Sequence, residues 1–288
     1  MNTTSNNKKY LIGVSGGPDS MYLLNQYKDQ ILVVCHVNYN KRASSLRDEI
    51  IVKNYCNKHN IKLEILSLDK NFNYTENFQA QARKLRYDFF IEISKKYQIN
   101  DCLIAHQQDD FLESAIMQYS RNKDLLFYGL HEFSNYKNLK IHRPLLGISK
   151  KEIISFLEQN NIAYGIDESN FTPTYERNKI RLELSKLNAD ELLDKINFFI
   201  NKNQENHHKY QQVQTFLDNW NYNYSDLIDF DDNQHVIYYW LSKNNINYSQ
   251  NKAKAILEFI KKKNNKRYRL KANLFLIKSG SFLKIIKQ

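Results

Sequence analysis

Cysteine is scarce and unpatterned here: Cys35, Cys56 and Cys102 are the only three in 288 residues. An odd count, with no C-x-x-C and no nearby His pair, argues against a disulfide framework, a structural zinc and an iron–sulfur cluster. Cys35 and Cys102 lie in apolar runs and read as core strand residues. No apolar run is long enough to suggest a membrane span. The polar start, Met1 to Lys9, is followed by an apolar segment too short for a signal peptide, so a cytoplasmic location is expected. Glycine (7) and proline (3) are also few, while Asn, Lys, Ile and Tyr are heavily used, so a single Lys or Asn carries little information.

What is present fits a globular chain, with 42% hydrophobic and 25% charged residues, enough for one large or two modest domains. The net charge of +11 is unevenly spread. Residues 251–288 hold 12 Lys and Arg against the single acid Glu258, leaving 30 basic and 30 acidic residues in the rest of the chain. So concentrated a field attracts a polyanion such as RNA; a Lys-rich solubilising surface is the plainer alternative.

The first two-thirds alternates apolar β-rich runs (Tyr10 to Val14, Ile31 to Val37, Ile61 to Leu68, Cys102 to Ala105) with helical patterns (Met21 to Tyr27, Leu46 to His59, Ala80 to Tyr97). That alternation predicts an α/β fold with a doubly wound, mostly parallel sheet, whose ligands sit at the carboxyl ends of the strands. A break falls near Asn188. Beyond it come a polar helix with apolar spacing at Leu192, Leu193, Ile196 and Phe199, then helical stretches at Val213 to Trp220, Val236 to Asn244 and Lys252 to Lys262. Two strands, Tyr268 to Leu276 and Ser281 to Ile286, joined at Lys278-Ser279-Gly280, close a smaller C-terminal α+β appendage. The expected division is 1–188, a connecting helix over 189–212, and a small basic domain over 213–288.

Polar clusters follow three of the strands. Ser15-Gly16-Gly17-Pro18-Asp19-Ser20 stands between the first strand and a helix, and reads as a phosphate loop. Its glycines can adopt backbone angles closed to other residues, its N–H groups can form a nest, and the helix adds its positive dipole end. Pro18 suits a first helical turn, and Asp19 is a candidate magnesium contact. The Lys and longer spacing of G-x-x-x-x-G-K-[ST] are missing, so this is no ordinary NTPase loop. His36 and Asn38 end the second strand, where they can meet a nucleotide, and Arg42 can meet phosphate. His106, Asp109, Asp110 and Glu113 follow the fourth. Asp110 and Glu113 share a helical face able to hold an ammonium or a magnesium ion, with His106 as a general base or phosphate donor. Asp109 reads equally as a helix cap. Arg83 and Arg86 share a helical face; Arg143 precedes a helix, Asp167 to Asn170 follow it, and Arg177 and Arg181, four apart, form a basic edge suited to RNA phosphate.

The pattern S-G-G-x-D-S resembles the loop of the ATP pyrophosphatase superfamily, whose members split ATP to AMP and pyrophosphate while adenylating a substrate oxygen. In order and spacing, these motifs across residues 10–185 resemble the tRNA(Ile)-lysidine synthetase family, departing at Tyr39 and Asn40, where His and Gly are usual. The resemblance implies an adenine nucleotide alpha hydrolase-like fold and an amidine-forming ligase. ATP would adenylate the C2 oxygen of the wobble cytidine of a CAU anticodon, and the amine of L-lysine would displace AMP, so that the tRNA reads AUA instead of AUG. It implies ATP binding by Ser15, Gly16, Gly17, Pro18, Asp19, Ser20, His36 and Asn38, and catalysis by Asp19, His106, Asp110 and Arg86. Lysine would be held by Asp110 and Glu113, Mg2+ by Asp19, and tRNA by Arg83, Arg143, Arg177 and Arg181; the charge of the basic tail adds Lys266 and Arg267 as tRNA contacts. The partners expected are tRNA(Ile), L-lysine and ATP, with no membrane; a homodimer is one assembly left open, since the sequence does not give the oligomeric state. A sulfur-transferring tRNA thiolase and a tRNA-binding protein without catalysis are the alternatives. Replacing all three cysteines tests the first, and absence of AMP formation the second.

Overall fold

The computed structural model describes residues 8–41, 44–69, 72, 78–121, 124–166, 176–244, 246, 249–262 and 266–287, and these divide into two units. One comprises Met1–Ser114 and Gly129–Lys186, the other Ala115–Tyr128 and Leu187–Gln288. Arg42 and Asp167 to Asn170 lie outside the described residues.

In the first unit, β1 (Tyr10–Gly13), β2 (Ile31–Asn38), β3 (Lys62–Ser67) and β4 (Asp101–Ile104) run parallel. They alternate with α1 (Pro18–Tyr27), α2 (Ser45–Lys58) and α3 (Phe78–Tyr97), as the apolar periodicity predicts; α4 (Gln108–Ser120) follows β4. The sheet order is β3-β2-β1-β4-β6-β5, with β6 (Leu139–His142) parallel to β4, and β5 (Phe133–Tyr136) an antiparallel edge. The chain leaves β1 toward β2 on one side and returns to β4 on the other, so the switch point that gathers ligands lies at the carboxyl end of β1. Side chains alternate across β1 and β2. Ile12, Val14 and Val34 pack in one layer with Leu23 and Val52; Leu11, Val33 and Cys35 pack in the other with Tyr87, Phe90 and Cys102. α5 (Lys150–Gln159) starts with a capping box in which Ser149 and Glu152 satisfy each other's backbone N–H groups. Its Phe156 meets Tyr22 of α1 edge-on at 5.0 Å. α6 (Glu176–Leu184) completes the unit.

In the second unit, α7 (Ala189–Glu205), α8 (His207–Asn219), α9 (Tyr224–Asp229), α10 (Asn233–Lys243) and α11 (Gln250–Lys261) precede a sheet in the order β7-β8-β9. Asn188 and Glu191 cap α7 reciprocally, which accounts for the break in pattern near Asn188. Trp220, Trp240, Leu241, Ile256 and Leu276 share its apolar core. The sequence from Tyr268 to Leu276, expected as one strand, is two: β7 (Arg267–Lys271) and β8 (Leu274–Ser279) pair antiparallel across Ala272 and Asn273. β9 (Phe282–Lys287) follows a turn at Gly280, whose φ is +61°. Among the described residues no helix is long and apolar enough to cross a membrane.

Candidate active site

The loop after β1 is organised largely by its own hydroxyls. Ser20 Oγ donates to the Gly17 carbonyl at 2.9 Å and accepts the Ser15 N–H at 3.2 Å. The Gly17 N–H reaches Ser15 Oγ at 3.3 Å. The two glycines differ in what they permit. Gly16 has φ +89°, and a Cβ there would stand 2.8 Å from the Asp48 carbonyl. Gly17 has φ −77°, open to any residue, and serves as the N-cap of α1; Pro18, lacking an N–H, follows it. A distant strap closes the loop: the Gly165 N–H donates to the Gly16 carbonyl at 2.8 Å. Arg47, bonded to the Asp48 carboxylate at 2.9 Å, donates to the Ile166 carbonyl at 2.9 Å.

Asp19 stands in the first turn of α1 with its carboxylate 2.7 Å from Lys150 Nζ of α5. Burial raises its pKa, and the nearby carboxylates of Asp110 and Asp109 add to the rise, against the pull of Lys150. Such a carboxylate is under-compensated, as befits a group that shares a divalent cation with phosphate. Mg2+ commonly takes one or two carboxylates and completes its shell with phosphate oxygens and water, so Asp19 fits that ion. Among the described residues no three or more His, Cys, Asp or Glu side chains converge as a metal cage.

A cavity of about 190 Å³ opens beside the loop, lined by Ser15, Gly17, Asp19, Arg86, Ala105 and His106 among others. β2 contributes Cys35, Val37 and, just beyond its end, Tyr39. His36 and Asn38 point to the other face of the strand. His36 is 2% exposed, and its Nδ1 bonds the Val14 carbonyl at 2.9 Å; burial lowers its pKa, and its Nε2 has no hydrogen-bond partner among the described residues. Asn38 donates to Glu49 at 2.6 Å, and Lys53 holds the other Glu49 oxygen at 2.6 Å. His36 thus holds the chain just ahead of the loop, while Asn38 ties β2 to α2. Asn40 has φ +49° and takes the Asx-type bond from its own N–H to Asn38 Oδ1 at 2.8 Å, an arrangement Asn tolerates almost as Gly does.

On the far lip, His106 accepts a hydrogen bond at Nδ1 from Arg143 Nε at 3.0 Å. Burial, reinforced by Arg143, Arg86, Arg177 and Arg83, lowers its pKa to about 3. A ring whose Nδ1 already accepts from Arg143 favours the donor role of the two expected for it. Arg86 Nε is buried without a hydrogen-bond partner among the described residues. Arg83 is exposed and lies over the Tyr87 ring, 4.6 Å from its centroid.

A second polar cluster joins α4 to α6. Arg177 reaches Glu113 through Nε and Asp110 Oδ1 through Nη2 at 2.8 Å; Arg181 Nε bonds the other Glu113 oxygen. Glu113 is 1% exposed, with both oxygens engaged. Asp110 Oδ2 also accepts the Gln107 N–H at 3.1 Å, capping α4. Asp109 exchanges two bonds with Gln107: its N–H is capped by Gln107 Oε1 at 2.8 Å and its carboxylate accepts the Gln107 side-chain amide at 2.9 Å, so Gln107 supplies the cap that Asp109 was read to supply.

The PP-loop domain family matches residues 1–188. The tRNA(Ile)-lysidine synthase of Ureaplasma parvum serovar 3 is 42% identical over 286 residues, spanning 94% of this chain and 85% of its own length. That of Mycoplasma genitalium is 38% identical, spanning 97% and 98%. The chain belongs to the tRNA(Ile)-lysidine synthase family. Among solved structures, the U34-tRNA thiolase NcsA of Methanococcus maripaludis, with its 4Fe-4S cluster, shares the fold at a TM-score of 0.53 and 21% identity, over 69% of this chain and 74% of that one. In this member of the lysidine synthase family all three cysteines are buried thiols. Burial raises the pKa of each, that of Cys56 to about 11, which disfavours thiolate chemistry.

Three arginines expected to meet RNA are engaged elsewhere in this family member. Arg143 is 6% exposed; besides His106, it donates through Nη1 to the His131 carbonyl and to Ser134 Oγ, each at 2.9 Å. A guanidinium so enclosed cannot face a tRNA phosphate. Arg177 and Arg181 are committed to Asp110 and Glu113 and compensate the acids expected for lysine. In the second unit Arg267, Arg269 and Lys271 alternate along β7 and stay exposed; Arg267 covers Phe275 at 3.5 Å, and Lys266 is exposed just before them. Lys150 and Glu49 escaped the sequence reading because they meet Asp19 and Asn38 across 131 and 11 residues; only the S-x-x-E capping signature ahead of α5 hinted at Lys150.

Proposed function

We propose that this protein joins L-lysine to C2 of the wobble cytidine of a CAU-anticodon tRNA(Ile), with ATP cleaved to AMP and pyrophosphate. The observation that carries the reading is the phosphate loop at the carboxyl end of β1, in a chain that aligns almost end to end with tRNA(Ile)-lysidine synthases. Ser15 to Ser20 cradle the phosphates with their N–H groups, hydroxyls and the start of α1. Asp19 is the residue that would hold Mg2+ against them, and the ion would supply positive charge to offset that of the pyrophosphate. Arg86, which lines the cavity, stabilises charge developing at the α-phosphorus as the cytidine C2 oxygen attacks and pyrophosphate leaves. The lysine amine then attacks C2, and AMP departs with that oxygen.

The lysine site is assigned to Asp110 and Glu113 together with their arginines. Glu113, nearly fully buried, fixes Arg177 and Arg181; Asp110, bonded to Arg177 but with 14% of its side chain exposed, is the acid more open to an ammonium. A free amino acid carries both charges, so it can exchange into the cluster without leaving either partner unpaired. Chemistry is assigned to residues 1–188, the link to 189–212, and tRNA attraction to the basic region of 213–288, with the cytoplasm as the place of work.

Incubation with ATP, labelled lysine and CAU-anticodon tRNA(Ile) tests the reading. Label in the RNA with matching AMP is expected; AMP without label overturns it. Replacing Lys266 and Arg267 by Ala should lower the slope of log affinity against log salt by about 0.7 to 0.9 for each phosphate no longer neutralised, and an unchanged slope removes them from the interface.

A further inference from the structure

We propose that Arg143 is a positioning residue that holds His106 in its Nε2–H tautomer, so that the site presents a neutral hydrogen-bond donor to the phosphoryl group of the bound nucleotide. This rests on the reading above for the identity of the acceptor, and on geometry alone for the tautomer. A guanidinium carries donors and no acceptor, and it does not deprotonate in proteins. With Arg143 Nε 3.0 Å from Nδ1, that nitrogen must offer its lone pair. A neutral imidazole then carries its single hydrogen on Nε2. The ring lines the cavity beside Ser15 and Asp19, where a phosphoryl oxygen can take that hydrogen.

Arg143 is itself held against rotation. It extends from the end of β6, and its Nη1 hydrogens are fixed on the His131 carbonyl and on Ser134 of β5. The charges acting most strongly on His106 are Arg143, Arg86 and Arg83 of α3, and Arg177 of α6, all cationic, while the Asp19 carboxylate lines the same cavity. A second proton on this ring would add charge to a crowded cationic lip, and would be released to whichever amine came near. The neutral donor avoids both, since it binds an oxyanion without a proton changing hands. Arg143 acts through His106 and needs no contact with substrate.

The tautomer is read directly from long-range 1H–15N correlations of the histidine rings in the full-length protein, with the His106 signals assigned by their loss in His106→Asn. The expected pattern is a bare nitrogen at Nδ1 and a protonated one at Nε2, unchanged from pH 7.5 to 5.5. An Nδ1–H pattern, or a ring titrating near its ordinary value of about 6.5, overturns the proposal without any variant at Arg143. Arg143→Gln, which can accept as well as donate, should mix the tautomers and lower kcat for AMP formation about 100-fold, with a smaller change in KM for ATP. Arg143→Lys, again donor-only, should restore the Nε2–H pattern and most of kcat. Arg143→Gln with the wild-type spectrum and rate overturns the idea. Ser134→Ala removes one support of Arg143 and should leave the pattern intact. A wild-type protein that shows the tautomer but incorporates no lysine would count against the functional reading alone.

Discussion

The nucleotide pocket and the acid–arginine cluster lie in the same unit, yet they balance charge in opposite ways. Around His106, Arg83, Arg86 and Arg143 form no ion pair with a carboxylate among the described residues, and Arg86 Nε lacks even a hydrogen bond. Between α4 and α6, two acids face two arginines and compensate them. In the proposed reading, the unbalanced lip is completed by an anion that arrives from outside, and the balanced cluster takes a ligand able to trade charges of both signs. Polyphosphate suits the first, and an amino acid the second.

The largest expected effect falls on the unbalanced side. Arg86→Met should slow AMP formation by a hundred- to a thousandfold, about 3 to 4 kcal/mol, while leaving the melting temperature of the ligand-free protein little changed; a wild-type rate would mean the lip is not arranged around the reaction. The balanced cluster should answer through stability. Glu113→Gln leaves Arg177 and Arg181 facing a single carboxylate. Because both arginines are 38% exposed and so partly screened, the loss should be near the low end for a broken buried pair, about 3 kcal/mol by urea unfolding. If it unfolds like wild type, the pairs are not what holds α6 to α4.

A sharper contrast lies within the loop. Gly16→Ala should cost about 2 kcal/mol, since alanine must adopt a positive φ against the Asp48 backbone; Gly17→Ala, at an ordinary φ, should change the melting temperature hardly at all. Equal losses would show that both glycines serve backbone strain. The smallest effect concerns acid. His106 and His131 have pKa values lowered to about 3 and about 4, by burial first and then by Arg143. Below about 6.5 the unfolded chain protonates these rings while the folded one does not, so their contribution is complete above that pH and is lost as pH falls through the window. Each can remove up to about 1.4 kcal/mol between pH 6 and 5, and His131→Gln should flatten the curve by one such share; an unchanged curve would mean the ring is solvated.

Legibility followed the range of the interactions involved. β1 to β4 and α1 to α3 were readable because apolar periodicity is a local signal, and the phosphate loop because a strand, a glycine turn and a helix start adjoin in sequence. Arg143, Arg177 and Arg181 were read as RNA contacts because a sequence shows a basic residue without its partner; Glu113 lies 64 and 68 residues from its arginines. The β7–β8 turn was missed because Ala272 and Asn273 carry neither Gly nor Pro to mark it.

The bond from Gly165 to Gly16 has a consequence in time. The ribosome releases the phosphate loop among the first residues made, but the amide that pins its carbonyl lies 149 positions later. At about 5 to 20 residues per second, the interval is roughly 7 to 30 seconds. Through that interval the strap that closes the loop does not yet exist, and the nascent chain has no finished nucleotide site. Completion of the pocket therefore reports that the strands and helices between the two glycines have already been synthesised.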